Sequence, residues 1–240
     1  MKHILIAAAA LVAVAAIGGG YYCYLNQTKA AFIVMVDITD DLKSNIDTSE
    51  VPTHIASASS EWSETDIRFS TFSNFENNKV IMLTIPAQFP LLGNPTERSK
   101  QLQRSYKTLN DTLNRIVAGD KGRPQSIIYA PMAKALNELA TVKVHTKEAI
   151  FYTDAQENTS AFSMYCEKDV AKVISNPKGV EAFFEKEVPL DSLTGVTVYI
   201  IYNPPTSFSE NRFLLMANLW KTMFTAHGAH VVIGPNLITN

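Results

Sequence analysis

Hydrophobic and polar positions fall into blocks along the chain, and the blocks alternate in period. Ala31 to Val36 reads AFIVMV, an unbroken apolar run stopped by Asp37. A run of that kind predicts a strand buried on both faces of a parallel sheet. Val51, Ile55, Ala58 and Trp62 step at helical spacing and predict a helix over 49–62, with Pro52 in its first turn. Alternation in 66–72 and the run 79–86 predict two strands, paired as an antiparallel hairpin through 74–78. Leu102, Tyr106, Leu109, Leu113 and Ile116 predict an amphipathic helix over 96–117, closed by Gly119 and Gly122. A second helix is expected over 126–139. The run 148–153 predicts another buried strand, stopped by Asp154. Residues 168–186 read as helical with a break at Asn176-Pro177. Val196 to Tyr202 is a strand stopped by Asn203-Pro204-Pro205. Ser207 and Glu210 read as a capping box for a helix reaching Ala226, and 230–233 as a last strand.

The order β α β β α α β α β α β implies a three-layer α/β fold. Its sheet is mostly parallel and twisted, with one antiparallel edge strand. In such sheets, sites lie beyond the carboxyl ends of the strands. Two strands end directly in an aspartate, Asp37 and Asp154.

The N-terminus departs from this pattern. Ile4 to Leu25 carries no charged residue over 22 positions, and about 20 residues of helix cross a hydrocarbon core of ~30 Å. Tyr21, Tyr22 and Tyr24 near its far end suit an interfacial belt, and Lys2 precedes it. The chain therefore divides into 1–28, a transmembrane signal anchor, and 29–240, the α/β domain. The expected topology is single-pass, with the domain on the non-cytoplasmic side of the membrane. The competing reading is a signal peptide cleaved near Ala16 to Gly20, which makes the domain secreted or periplasmic.

Composition narrows the function classes. With 46% hydrophobic residues among 240, there is material for a good core. Lys and Arg number 21 against 23 Asp and Glu, a balance that argues against nucleic acid as a partner. Two cysteines exclude a disulfide scaffold.

The first strand's turn reads Asp37-Ile38-Thr39-Asp40-Asp41. Oxygen ligands at 37, 39 and 41 can converge on a hard cation such as Mg²⁺, Mn²⁺ or Ca²⁺, and Asp154 can complete the set from a neighbouring strand. These residues, with Phe151-Tyr152-Thr153-Asp154, resemble the von Willebrand factor A (vWA) domain. That resemblance covers about residues 31–235 and extends to the order of the elements. In the vWA family a metal-ion-dependent adhesion site uses Asp-x-Ser/Thr-x-Ser after the first strand, a Thr before a helix and an Asp after the fourth strand. A partner's acidic side chain fills the last coordination position. Carried onto this chain, Asp37, Thr39 and Asp154 match. Asp41 stands where the family has Ser, and Ala130 stands where it has Thr. Ser126 could supply that hydroxyl only through a remodelled loop. The resemblance implies a degenerate site with Asp37, Thr39, Asp41 and Asp154 as metal ligands.

The expected function is a membrane-tethered module that binds or scaffolds a protein partner, either with a divalent cation at its site or through a degenerate, metal-free surface, and with no catalytic residues. The alternative is a metal-dependent phosphoesterase using the same carboxylates. A haloacid-dehalogenase-type phosphatase needs an acid where Thr39 stands. A nuclease of the PIN type could assemble Asp37, Asp154 and Glu157, but the chain shows no basic face. His227 and His230 flank Gly228, whose turn is expected to point the two rings apart. The helix containing Phe213, Leu214, Trp220 and Phe224 is apolar nearly all round. It is either a deeply covered core helix or one whose outer face meets a partner.

Overall fold

The computed structural model describes residues 11–22, 29–38, 47–72, 80–119 and 126–237. Residues 11–22 are helical (α1). There follow β1 (Ala30–Val36), α2 (Glu50–Ala58), β2 (Thr65–Thr71), β3 (Ile81–Ile85), α3 (Pro95–Gly119) and α4 (Tyr129–Thr141). The chain continues with β4 (Thr146–Tyr152), α5 (Glu167–Ser175), α6 (Pro177–Glu187), β5 (Val196–Ile201), α7 (Ser207–Ala226) and β6 (His230–Gly234). The strands form one six-stranded sheet in the order β3-β2-β1-β4-β5-β6. All pairings are parallel except β2 with β3. This α/β sheet with one antiparallel edge is the expected architecture, and it fits a vWA-like domain.

Strand β1 shows why the sheet has two covered faces. Its seven residues are all buried. Successive side chains of a strand point to opposite faces. Ala31, Ile33 and Met35 enter a core with Leu136 of α4, Phe184 of α6 and Trp220 of α7. Ala30, Phe32, Val34 and Val36 enter a second core with Val51 and Ile55 of α2 and Leu109 and Leu113 of α3. Each fully buried large side chain contributes roughly 1.5–3 kcal/mol, so a one-residue slip of β1 would forfeit packing on both faces.

Several expected boundaries shift. Helix α2 ends at Ala58, leaving Trp62 outside it. Helix α4 begins at Tyr129 rather than at residue 126, because Ser126 pairs with Asn158 in an isolated bridge. The capping box at α7 is Thr206 with Ser209, not Ser207 with Glu210: the Thr206 side chain accepts from Ser209 N, and the Ser209 side chain accepts from Thr206 N. The helix starts one residue earlier in the cap than the Ser-x-x-Glu pattern suggests, since Thr206 is the residue with extended backbone. The hairpin connection 74–78 lies outside the described residues.

Helix α7 takes the core reading: Phe213, Met216, Leu219, Trp220, Met223 and Phe224 are all buried. Leu214 is exposed on its outer face among Asn211, Asn218 and Lys221. Gly228 turns the chain from α7 into β6 at φ +97, a left-handed value that favours glycine. His227 bonds Glu185 through Nε2 at 3.0 Å, while His230 begins β6 and is exposed.

The sheet has two distinct ends. Residues Ala30, Thr65, Thr146, Val196 and His230 begin the parallel strands, and Val36, Thr71, Tyr152, Ile201 and Gly234 end them. Because Thr65 pairs with Ile85, the loop leaving the antiparallel β3 emerges at the end where the parallel strands begin. The same end receives α1: Tyr21 donates its hydroxyl to Gln88 O at 2.7 Å. Among the described residues no helix is long and apolar enough to cross a membrane. The run Ile4–Leu25 is only partly covered by them, since 4–10 and 23–25 lie outside.

Candidate functional site

Val36 and Tyr152 are register partners at the ends of β1 and β4. Asp37 N donates to Tyr152 O at 2.8 Å, which carries the ladder one residue further. The two strands therefore release Asp37 and Thr153-Asp154 side by side. Since Val36 and Tyr152 both face the α2/α3 core, alternation turns Asp37 and Thr153 toward the α4 side.

That placement sets the partners of Asp37. Its carboxylate is 0% exposed. Oδ2 accepts from Ser126 Oγ and from Thr153 Oγ, each at 3.1 Å. A hydroxyl thus reaches Asp37 from Ser126, three residues ahead of α4. Ser126 is brought in by its bridge to the loop after β4: Ser126 N donates to Asn158 O at 3.2 Å, and Asn158 N donates to Ser126 O at 2.8 Å. Ala130, the residue in the family's Thr position, lies instead inside the first turn of α4 and is buried.

Asp154 is also buried, and both its oxygens face Gln156. Oδ1 accepts from Gln156 N and Oδ2 from Gln156 Nε2, each at 2.9 Å. The first is a local Asx-type turn. Ala155 between them has φ 62, in the left-handed region. A non-glycine residue held there costs on the order of 1–3 kcal/mol. The surroundings hold it: Ala155 N donates to Thr153 Oγ1 at 3.0 Å, and Trp220 Nε1 donates to Ala155 O at 3.0 Å.

Glu157 completes the rim. It is 3% exposed. Its Oε2 accepts from Ile128 N and Tyr129 N, each at 2.9 Å. These are amides at the start of α4, which have no partner within the helix, and the positive end of the helix dipole favours an anion there. Burial nonetheless pushes the Glu157 carboxyl from its ordinary 4.5 up to about 7; the two amide bonds work against that shift, and the charges of Glu187 and Asp37 add to it. Nothing in the local sequence marks this role. Glu157 and Tyr129 lie far apart in the chain, and only the fold joins them. The Thr153 hydroxyl was more accessible to sequence reasoning, as a hydroxyl residue at a strand end next to Asp154.

Of the four residues expected to hold a metal, Asp37 and Asp154 emerge at the same end of adjacent strands, while Thr39 and Asp41 lie outside the described residues. Among the described residues, no group of three or more His, Cys, Asp or Glu side chains is placed to hold a metal ion. The donor chemistry around Asp37 is nonetheless all oxygen: a carboxylate and two hydroxyls whose lone pairs suit a hard cation.

No protein-family model matches the chain, and no curated protein matches it. Among solved structures, the chain is similar to one titled "Crystal structure of the human COPII-coat protein Sec24c", with 10% sequence identity and a TM-score of 0.36. The match covers 88% of this chain and 30% of that one, so this chain spans under a third of its length. A likeness that weak carries no argument about function.

Proposed function

We propose that this chain is a membrane-tethered, vWA-like interaction module that grips a protein partner at the Asp37/Asp154 end of its sheet. The observation that carries this reading is the polarity of the fold. The apolar N-terminal segment meets the domain at the end where the parallel strands begin. The acidic rim lies at the opposite end, roughly 20 Å away along seven-residue strands at ~3.3 Å per residue. A module tethered in that way holds its rim out from the bilayer, toward other proteins on the non-cytoplasmic side.

A divalent cation, Mg²⁺, Mn²⁺ or Ca²⁺, belongs to this proposal, with Asp37, Thr39, Asp41 and Asp154 as its ligands. Asp154 would exchange its bond from the Gln156 carboxamide for the ion and keep the one from Gln156 N. The cation would offer an open position to an acidic side chain of the partner.

The phosphoesterase alternative uses the same carboxylates but lacks a proton-transfer group. No His falls in 37–41 or 153–157. Glu157, the carboxyl pushed up toward neutrality, is committed to two backbone amides. General acid–base help contributes typically 10²–10⁴ in rate. The test supplies Mg²⁺, Mn²⁺ and Ca²⁺ in turn to the full chain with aryl phosphates and phosphodiesters. No hydrolysis above background is expected. Robust hydrolysis that disappears in both Asp37→Ala and Asp154→Asn would make the protein an enzyme and overturn the binding reading.

A further inference from the structure

The loop between β3 and α3, from Pro86 to Gly93, reads PAQFPLLG and holds no charged residue. At its tip Leu91 is 77% and Leu92 87% exposed. The loop beneath that tip is firmly built. Arg98 of α3 is fully buried, donating through Nε to Glu61 O at 2.7 Å and through Nη1 to Pro86 O at 2.9 Å and Gln101 Oε1 at 2.8 Å. Gln88 N donates to Trp62 O, and Gly93 N to Phe89 O. The Trp62 ring lies so close over Gly93 that a Cβ there would stand 2.7 Å from its Cζ3. Two large apolar side chains are thus presented to solvent by a rigid support, where a surface loop ordinarily carries polar residues.

What meets them is indicated by α1. Tyr21, in its last described turn, bonds Gln88 O and sets its ring edge-on to Phe89 with centroids 4.0 Å apart. Leu11, Val12, Val14 and Ile17 of the same helix are all exposed. The apolar run of the sequence begins at Ile4, and at the helical rise of 1.5 Å per residue the stretch from there to Tyr21 would span about 26 Å, close to the ~30 Å of a hydrocarbon core. Tyr21 thus belongs at the far interface, where Tyr and Trp collect. A loop that touches Tyr21 then lies at the same depth, and Leu91 and Leu92 are its outermost side chains.

We propose that the Pro86–Gly93 loop is a membrane-contact site. Leu91 and Leu92 insert at the headgroup–acyl boundary of the bilayer in which the apolar run Ile4–Leu25 is anchored under the proposed function, with Tyr21 and Trp62 in the interfacial layer beside them. The contact is apolar and independent of anionic lipid, since the loop offers no cation. It fixes the tilt of the domain and holds the Asp37/Asp154 rim upright. This inference rests on the membrane-anchor part of the proposed function.

The test uses the full chain with Cys23→Ser and Cys166→Ser in phosphatidylcholine nanodiscs. A fluorophore is placed in turn on Leu92→Cys, Val14→Cys and Ala161→Cys, and the lipids carry nitroxide quenchers at shallow or deep acyl positions. The Leu92 label is expected to lose most of its emission to the shallow quencher. The Val14 label should lose it to the deep one, and the Ala161 label, at the opposite end of the sheet, to neither. If Val14 is quenched and Leu92 is not, the membrane contact is refuted while the anchor stands. If Val14 is quenched by neither, the anchor and the contact both fall. A Leu92 label that ignores lipid nitroxides yet becomes shielded when host membrane proteins are added overturns the proposal in favour of a protein surface.

Discussion

Replacing Glu157 with Gln should flatten the dependence of stability on pH. Glu157 is buried against the start of α4, and its folded-state pKa is raised from 4.5 to about 7. The folded protein therefore holds this proton more tightly than the unfolded chain does. A group raised in this way contributes stability that is fully present below pH 4.5 and is lost as the pH rises through about 7. At 1.36 kcal/mol per unit, the loss is about 3 kcal/mol between those limits. In Glu157→Gln the side-chain oxygen can take both amides, from Ile128 and Tyr129, with no charge to bury. The variant should therefore lack this component of the slope, whatever its absolute stability. The assay is urea unfolding of residues 29–240, which contain both cores, with a chelator present, at steps from pH 4.5 to 8. With a urea slope of up to ~3 kcal/mol/M, the wild-type midpoint should fall by roughly 1 M more than the variant's. Parallel midpoint–pH curves for the two proteins would refute the account of Glu157 as a buried, largely uncompensated carboxyl.

Three further outcomes are expected. Millimolar Mg²⁺, Mn²⁺ or Ca²⁺ should stabilise the wild type by about 2.7 kcal/mol at a hundredfold excess over Kd. Asp37→Ala should abolish that gain and cost about 1–3 kcal/mol without metal, because the Ser126 and Thr153 hydroxyls lose an acceptor; thermal melts with and without each ion check both. Trp220→Phe should cost about 1–3 kcal/mol in chemical denaturation, by leaving the buried Ala155 carbonyl without its donor. Protease added to intact cells stripped of any outer barrier should remove the domain, and protection until lysis would reverse the proposed topology.

Much of the fold was legible because its signals are local. The unbroken run in β1, the Asn176-Pro177 break between α5 and α6 and the antiparallel β2–β3 pair all follow from short stretches of chain. The cap of α7 was misplaced by one residue because Thr206 and Ser207 are both good caps, and only backbone conformation separates them. The start of α4 was misplaced for a different reason. Ser126 is drawn out of the helix by Asn158, a partner in another loop. The residues at the strand ends divide in the same way. The placement of Asp37 and Asp154 just beyond β1 and β4 was legible because each stops an apolar run. The bond from Ser126 to Asp37 and the acceptance of the α4 amides by Glu157 depend on long-range pairings that no spacing encodes.

Under the proposed function, a protein partner is held at the rim beyond β1 and β4. Ala161 is exposed in the loop that follows β4, and Ser192 is exposed ahead of β5 at the opposite end of the sheet. A photo-crosslinking amino acid placed at either position in the native host tests the claim directly. A discrete adduct with another protein is expected from Ala161, absent from Ser192, and lost when Asp154→Asn is added to a chain that still folds and reaches the membrane. An Ala161 adduct that persists in Asp154→Asn, or adducts from Ser192 alone, would contradict it.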